Sequence, residues 1–176
     1  MSGSEMLIID ASAAIAVVLN EHGSEAIDRE IKRRTSRGVR LLVPQLFWIE
    51  TANILGRRHA QPFDLILEAV AALDRMGLAT VQTDRAGVLA MVAAMLDHHL
   101  SAYHATYLAL AESLDATLLT LDRRLAAAAG PRAVDLGDGQ MRETRVEYRL
   151  EPWIKWPGAA EYLDAVRRVT LEEARR

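Results

Sequence analysis

Short apolar runs alternate with longer stretches of helical periodicity over most of this chain. The apolar runs predict strands at 7–10, 39–43, 78–83 and 116–121, with a fifth, edge strand at 132–136. The amphipathic or capped stretches between them predict helices at 11–20, 25–37, 44–59, 62–77, 84–95, 101–114 and 122–129. Short apolar strands that alternate with helices are typical of a parallel sheet covered on both faces, so we predict an α/β fold.

The pattern changes after Leu136. Residues 137–139 predict a linker, 144–150 alternate as a strand does, and 158–176 predict an amphipathic helix behind an aromatic turn at 152–157. We therefore predict one domain over 1–136 and a C-terminal extension, strand then helix, over 137–176. The extension is expected to dock on the chain's own core, on a second copy or on an unlike partner, and the sequence leaves these open.

Composition limits the function classes. The formal net charge of −3 argues against a tight, non-specific nucleic-acid binder, which is usually basic. It leaves room for an RNA-cleaving enzyme, because a carboxylate site lowers the net charge and a bound metal restores it locally. Basic runs at 29–40 and 57–59 are either solvated helix faces or a track for phosphates.

The composition also predicts the cellular compartment of the protein. The chain has no cysteine, which excludes disulfides and thiolate metal sites. We find no apolar stretch near the roughly 20 residues that span a bilayer and no secretory signal pattern, so we predict a cytoplasmic protein without a membrane partner.

Four polar residues stand out at or near the ends of predicted strands or inside apolar helices: Asp10, Glu50, His104 and Asp122. Each has a plain structural explanation. Asp10 and Asp122 fit helix caps, Glu50 fits the edge of a surface, and His104 fits a hydrogen-bonded core or surface histidine. Together they are more specific, since the carboxyl ends of parallel strands form the sites of open α/β sheets. Carboxylates gathered there repel one another unless a divalent cation joins them.

Four ordered motifs carry a family resemblance over about residues 6–136. They are 7–13 (LIIDASA), 43–55 (VPQLFWIETANIL), 100–111 (LSAYHATYLALA) and 118–125 (LLTLDRRL). In these motifs the chain resembles the PIN-domain ribonucleases, and most closely the toxins of VapBC-type toxin–antitoxin pairs. The resemblance implies a three-layer α/β/α domain around a central parallel sheet.

The resemblance also implies a function. Asp10, Glu50 and Asp122 match the family's metal-binding acids, while Ser12, Asn53 and Thr120 match the polar positions that support them. It implies a metal-dependent endoribonuclease that uses Mg²⁺ or Mn²⁺ and leaves a 5′-phosphate and a 3′-hydroxyl. It further implies an RNA substrate, a homodimer and an antitoxin partner.

His104 departs from the family pattern, which has an aspartate at this place of the third motif. Three outcomes follow: His104 is a ligand in an altered metal site, the remaining acids bind one metal and work slowly, or a protonated His104 replaces the cation. The last outcome defines the alternative function, a catalytically impaired PIN domain that acts as a binding or scaffold protein.

Overall fold

The computed structural model describes residues 6–21, 24–58 and 61–137, so the predicted extension lies outside the described residues from position 138 onward. The strands are β1 (Met6–Ile9), β2 (Arg40–Pro44), β3 (Ala79–Val81) and β4 (Thr117–Leu119). The helices are α1 (Ala11–Val18), α2 (Ser24–Thr35), α3 (Leu46–Asn53), α4 (Phe63–Arg75), α5 (Arg85–His98), α6 (Ala102–Ser113) and α7 (Arg123–Ala129). A π-helical turn, Ile54–Arg58, follows α3, and a 3-10 turn, Gly130–Arg132, follows α7.

The four strands form one parallel sheet in the order β3-β2-β1-β4. Leu7, Ile8 and Ile9 of β1 are fully buried. Because successive side chains of a strand point to opposite faces, burial of all three means that both faces of the sheet are covered. The α/β prediction with a central parallel sheet and helices on either side is confirmed.

The predicted fifth strand at 132–136 is wrong. Within the described residues this stretch makes a single parallel bridge, between Leu118 and Ala133, and the Val134 N–H donates to the Leu118 carbonyl at 2.8 Å. The Asp135 carboxylate then accepts from the Gly137 N–H at 2.8 Å. Such an Asx turn offers the backbone an alternative to the ladder, and it ends the pairing after one step.

Pro44 also lies elsewhere than predicted. It is the last residue of β2, paired in register with Val81, and not the first turn of a helix. The Gln45 N–H donates to the Val81 carbonyl at 3.0 Å, so the ladder continues past the missing proline N–H. The helix predicted at 44–59 accordingly begins two residues later, as α3, and changes to π geometry from Ile54.

The packing of the helices on the sheet positions the residues of the site. Helix α6 packs against β1, β2 and β4, and α5 packs against α6, while α1 contacts α2, α3 and α4. Asp84 caps α5 as predicted, accepting from the Gly87 N–H at 2.8 Å. Among the described residues there is no helix with the length and apolarity that crossing a bilayer requires.

The basic run of α2 is largely engaged in ion pairs on its own helix. Arg33 and Arg34 both donate to Glu30, and the two guanidinium groups hold the pKa of that carboxyl at about 2. Lys32 pairs with Asp28 at 2.6 Å. Lys32 and Arg33 thus behave as parts of a solvated helix face, whereas Arg34 is mostly buried and also donates to the Thr117 hydroxyl at 2.7 Å.

Candidate metal-binding site

The site lies where the strand order changes direction. From the central strand β1 the sheet extends one way to β2 and β3, and the chain returns to add β4 on the other side of β1. Asp10 directly follows β1, and Thr120 and Asp122 follow β4, its neighbour in the sheet. A topological switch point of this kind opens a crevice at the carboxyl ends of the strands. Because β1 and β4 are neighbouring parallel strands, the polar residues that directly follow them lie at the same edge of the sheet.

Asp10 caps helix α1, but the cap uses only one of its two carboxylate oxygens. Its Oδ2 accepts from the Ser12 N–H at 3.2 Å, from the Ser12 hydroxyl, and from the Thr120 hydroxyl at 3.0 Å. Its Oδ1 is buried and has no hydrogen-bond partner within the described part of the chain. Burial raises the pKa of Asp10, and the nearby His104 ring together with the Ser12 and Thr120 hydrogen bonds opposes the rise. The helix cap accounts for the position of Oδ2 but not for the burial of Oδ1.

Ser12 and Thr120 connect Asp10 to the loop that carries Asp122. The Ser12 hydroxyl accepts from the Leu121 N–H at 3.1 Å, and the Thr120 hydroxyl accepts from the Asp122 N–H at 3.0 Å. Both hydroxyls donate to Asp10, so Ser12 reaches the other segment by accepting from Leu121 and Thr120 reaches it by donating to Asp10. The pair fixes the two segments to each other at the end of the sheet.

Glu50 is held by Tyr107, a residue outside the set of site residues predicted from the sequence. The Tyr107 hydroxyl donates to Glu50 Oε2 at 2.7 Å, and Tyr107 itself is fully buried in α6. Burial raises the pKa of Glu50 to about 8, and the charge of Asp10 and, less strongly, of Asp122 adds to the rise, while the Tyr107 hydrogen bond lowers it. A signal existed in the sequence, because a tyrosine in a buried position needs a partner for its hydroxyl.

Asn53 was expected to hold the Glu50 carboxylate from one turn further along. It is half-buried, and no hydrogen bond joins it to Glu50 within the residues that the structure describes. Asn53 is the last residue of α3, and the π-helical turn begins directly after it. Glu50 and Asn53 both lie within α3, so their i, i+3 spacing places them on one face of the helix without by itself bringing the two side chains into contact.

His104 and Asp122 complete the group. The His104 Nδ1 lies 3.7 Å from Asp122 Oδ1, and the His104 side chain is 14% exposed. Asp122 also caps α7, since its Oδ1 accepts from the Leu125 N–H at 2.8 Å. The three acids and the histidine predicted from the sequence therefore lie in one place, and Asp122 is linked to the others through His104.

A divalent cation fits the residues present. One ligand atom each from Asp10, Glu50 and His104 lies within 4.8 Å of the other two. The free Oδ1 of Asp10 supplies a buried anionic oxygen that no N–H or O–H of the described chain satisfies. Two carboxylates with raised pKa values in one crevice are the pattern that a cation relieves. The oxygen donors suit Mg²⁺, and the imidazole suits Mn²⁺ and other transition metals.

Comparison with known proteins gives the same fold. The PIN domain family model matches residues 7–131. Ribonuclease VapC9 from Mycobacterium tuberculosis is 33% identical over 132 residues, which is 68% of this chain and 88% of that protein. Two solved structures also superpose: a toxin–antitoxin complex from Klebsiella pneumoniae with a TM-score of 0.57, and VapC20 from Mycobacterium tuberculosis with 0.56.

The two solved structures show less about this chain than the sequence relative does. Their identities are 14% and 16%, they cover 75% and 69% of this chain, and they cover 98% and 94% of the matched chains. Identity this low shows the fold alone. The family assignment rests on the family model, which matches more than two thirds of the chain, and on the similarity to a VapC ribonuclease. This chain belongs to the PIN domain family.

Proposed function

We propose that this protein is a metal-dependent endoribonuclease that hydrolyses RNA phosphodiester bonds as the toxin of a toxin–antitoxin system. The observation that carries the proposal is the convergence of ligand atoms from Asp10, Glu50 and His104 within 4.8 Å, together with a buried Asp10 oxygen that has no hydrogen-bond partner among the described residues. Similarity to a protein named a ribonuclease supports the choice of RNA as substrate.

In this proposal Asp10, Glu50, His104 and Asp122 hold one or two divalent cations, Mg²⁺ or Mn²⁺. A cation held there would activate a water molecule and stabilise charge on the phosphate oxygens during in-line attack. The products are a 5′-phosphate and a 3′-hydroxyl, and no covalent intermediate with the protein is needed.

The supporting residues orient those ligands. Ser12 and Thr120 keep Asp10 Oδ2 occupied, which leaves Oδ1 as the oxygen for the cation. Tyr107 fixes Glu50 by a hydrogen bond to one oxygen, so the carboxylate is oriented before any ligand binds. Glu50 has to release a proton to become a ligand, because its pKa is about 8. Asn53 is kept in the proposal as a residue that supports the metal-binding acids, the role that the family resemblance implies for it.

The second candidate function is a binding or scaffold protein with impaired catalysis. It is favoured by the 3.7 Å separation of His104 Nδ1 and Asp122 Oδ1. A protonated imidazole at this distance is an ion-pair partner for the carboxylate and takes the place of a cation among the acids. Neutral His104 would instead be a metal ligand, so the protonation state of one ring separates the two functions.

The proposed partners and organisation follow from the same reasoning. The substrate is single-stranded RNA or an exposed loop, since an acidic crevice reaches a splayed backbone most easily. An antitoxin is supported by the structural match to a toxin–antitoxin complex, and a second copy of this chain is proposed as well. We propose a nuclease domain over 1–136, an extension over 137–176 and a cytoplasmic location; the family match at 7–131 falls inside the first range.

The experiment is cleavage of a fluorescent single-stranded RNA by the purified full chain in Mg²⁺, in Mn²⁺ and in EDTA. We expect cleavage in Mn²⁺ that EDTA removes, and complete loss in Asp10→Asn, which keeps the hydrogen bonds of the cap but removes the anionic oxygen. Asp74→Asn, an exposed acid of α4, is the matched control and should cleave as the parent does. Full activity in Asp10→Asn would place the active site elsewhere.

The same assay separates the two candidate functions through His104→Asp. We expect this variant to bind Mg²⁺ more tightly and cleave faster in it, because a hard anionic oxygen replaces an imidazole. A silent parent beside an active His104→Asp variant would favour the binding or scaffold function. Unchanged Mg²⁺ affinity in the variant would contradict the assignment of position 104 as a ligand.

A further inference from the structure

Two arginines begin α7 directly beside the candidate metal site. Asp122, which caps this helix, is buried, and the next two residues, Arg123 and Arg124, are exposed. Asp122 Oδ1 lies 3.7 Å from His104 Nδ1, and His104 belongs to the group whose ligand atoms lie within 4.8 Å of one another. The α7 arginine pair, Arg123 and Arg124, therefore lies at the rim of the crevice.

Helix geometry directs both arginine side chains towards the carboxyl edge of the sheet. In an α-helix every Cα–Cβ bond tilts towards the N-terminus, and the N-terminus of α7 follows β4 at that edge. The next residue, Leu125, is fully buried in the core. The first turn of α7 thus presents two guanidinium groups to solvent on the β4 side of the crevice.

The α7 arginine pair makes no ion pair or hydrogen bond through its side chains within the part of the chain that the structure describes. At the other end of α7 the situation differs, because Arg132 pairs with Asp115 at 2.6 Å. The guanidinium groups of Arg123 and Arg124 are consequently available to an anion from solvent.

The position of the pair within the helix is electrostatically unfavourable. The N-terminal end of a helix carries a partial positive charge, so its first turn favours acidic residues and disfavours basic ones. After its cap, the first turn of α7 has no acidic residue and begins with two arginines. Such a departure from a local rule is expected at functional sites.

The charge of the candidate site indicates which anion the pair would bind. The three carboxylates of Asp10, Glu50 and Asp122, once ionised, exceed the charge of one divalent cation. An RNA strand carries a negative charge on every phosphate and would meet a negative crevice. Two guanidinium groups at the rim reverse the sign of the local charge, and each can donate to two oxygens of one phosphate.

We infer that Arg123 and Arg124 bind the RNA phosphates next to the one that is hydrolysed. This inference rests on the proposed function, because it names the residues that hold the proposed substrate. Both are positioning residues, which fix the strand across the crevice and touch no reacting atom. The backbone of α7 is not the binding group, since Asp122 already accepts from the Leu125 N–H at 2.8 Å.

The first test measures RNA binding without cleavage. Fluorescence anisotropy follows labelled oligouridine and oligoadenine with the full chain in EDTA, from about 25 to about 200 mM NaCl. Each phosphate contact to a single strand contributes about 0.7 to the slope of log affinity against log salt, so Arg123→Gln/Arg124→Gln should lower the slope by about 1.4. The loss should be equal for both oligonucleotides, because phosphate contacts carry no sequence information. Arg123→Lys/Arg124→Lys keeps the charge and should keep the slope.

Arg37→Gln/Arg75→Gln is the matched control, since it removes the same charge from two exposed arginines. Arg37 and Arg75 precede β2 and β3, so they lie at the amino edge of the sheet, opposite the site. A second comparison is Arg85→Gln, because Arg85 begins α5 after β3, which is about 14 Å from β4 across the sheet. Both variants should keep the slope of the parent. Circular dichroism checks that all variants remain folded.

The second test is cleavage of single-stranded RNA in Mn²⁺. A residue that binds substrate and transition state equally raises KM and leaves kcat unchanged, so we expect Arg123→Gln/Arg124→Gln to raise KM roughly tenfold with kcat nearly constant. The Arg37→Gln/Arg75→Gln control should cleave as the parent does. A loss confined to kcat would overturn the positioning role.

The binding test also separates this inference from the nuclease proposal, because it needs neither metal nor cleavage. An unchanged slope in Arg123→Gln/Arg124→Gln, an equal loss in the amino-edge control, or a parent that binds no RNA at about 25 mM NaCl overturns the inference. A larger loss in Arg85→Gln overturns the assignment to α7. A parent that binds RNA through the pair and yet does not cleave in Mn²⁺ supports the inference and contradicts the nuclease proposal.

Discussion

Replacing Glu50 by glutamine should stabilise the metal-free protein at neutral pH. Glu50 is 8% exposed, accepts a hydrogen bond from Tyr107 at 2.7 Å and lies beside Asp10 and Asp122. Its ionised form is therefore costly in the folded state. A glutamine has nearly the same shape, keeps an oxygen that accepts from Tyr107, and carries no charge. The substitution thus removes a buried charge and retains the packing.

The pKa of Glu50 gives the magnitude. It rises from 4.5, the ordinary value of an exposed glutamate, to about 8 in the folded protein. A pKa that is higher in the folded state contributes stability that is complete below pH 4.5 and is lost as the pH rises through 8. Within this window each pH unit removes about 1.4 kcal/mol from the free energy of unfolding. Between pH 4.5 and 7 the loss is on the order of 3 kcal/mol, and glutamine avoids it.

Urea denaturation at pH 5, 6, 7 and 8 in EDTA tests this reasoning. The difference between Glu50→Gln and the parent should be small at pH 5 and grow towards pH 8, in favour of the variant. In saturating Mn²⁺ the sign should reverse, because the cation stabilises only the chain that binds it. Glu68→Gln, an exposed carboxyl of α4, is the control and should change stability by less than about 0.5 kcal/mol. A Glu50→Gln variant that is less stable than the parent at pH 8 in EDTA would refute the assignment of Glu50 as a strained buried acid.

Two further substitutions test how the ligands are held. Tyr107→Phe should lower the free energy of unfolding by about 1–3 kcal/mol, because Glu50 loses its buried hydrogen-bond donor. The same variant should bind Mn²⁺ only at higher pH, since the lost hydrogen bond lowers the Glu50 pKa. Urea denaturation and Mn²⁺ titration at several pH values measure the two effects, and binding at unchanged pH would contradict the second. Thr120→Val should cost a similar amount, as the Asp122 N–H loses its acceptor. Thr106→Val, which removes an exposed hydroxyl, should cost less than about 0.5 kcal/mol in the same urea assay, and equal losses in the two variants would speak against a special role for Thr120.

Much of the fold was predictable because its signals are local. Apolar runs of four to six residues between caps and turns predict buried strands, and their alternation with helices predicts a parallel sheet. The errors fall where a neighbouring element competes with the local signal. Pro44 carries a helix-start signal, yet pairing with Val81 keeps it in β2. Residues 132–136 carry a strand signal, yet the Asp135 turn ends their pairing after Ala133.

The sequence by itself determined which acids meet. Asp10 and Asp122 follow adjacent parallel strands, and strand direction and length alone bring them to one edge of the sheet. Only the tertiary structure decided what holds Glu50, because its partner Tyr107 is 57 positions away and reaches it through the packing of α6. It also decided that α5 is largely exposed, since an apolar helix has the same sequence pattern whether or not its own domain covers it. The spacing of apolar residues in a sequence indicates which side chains are removed from water. Only the three-dimensional packing determines which surface covers them.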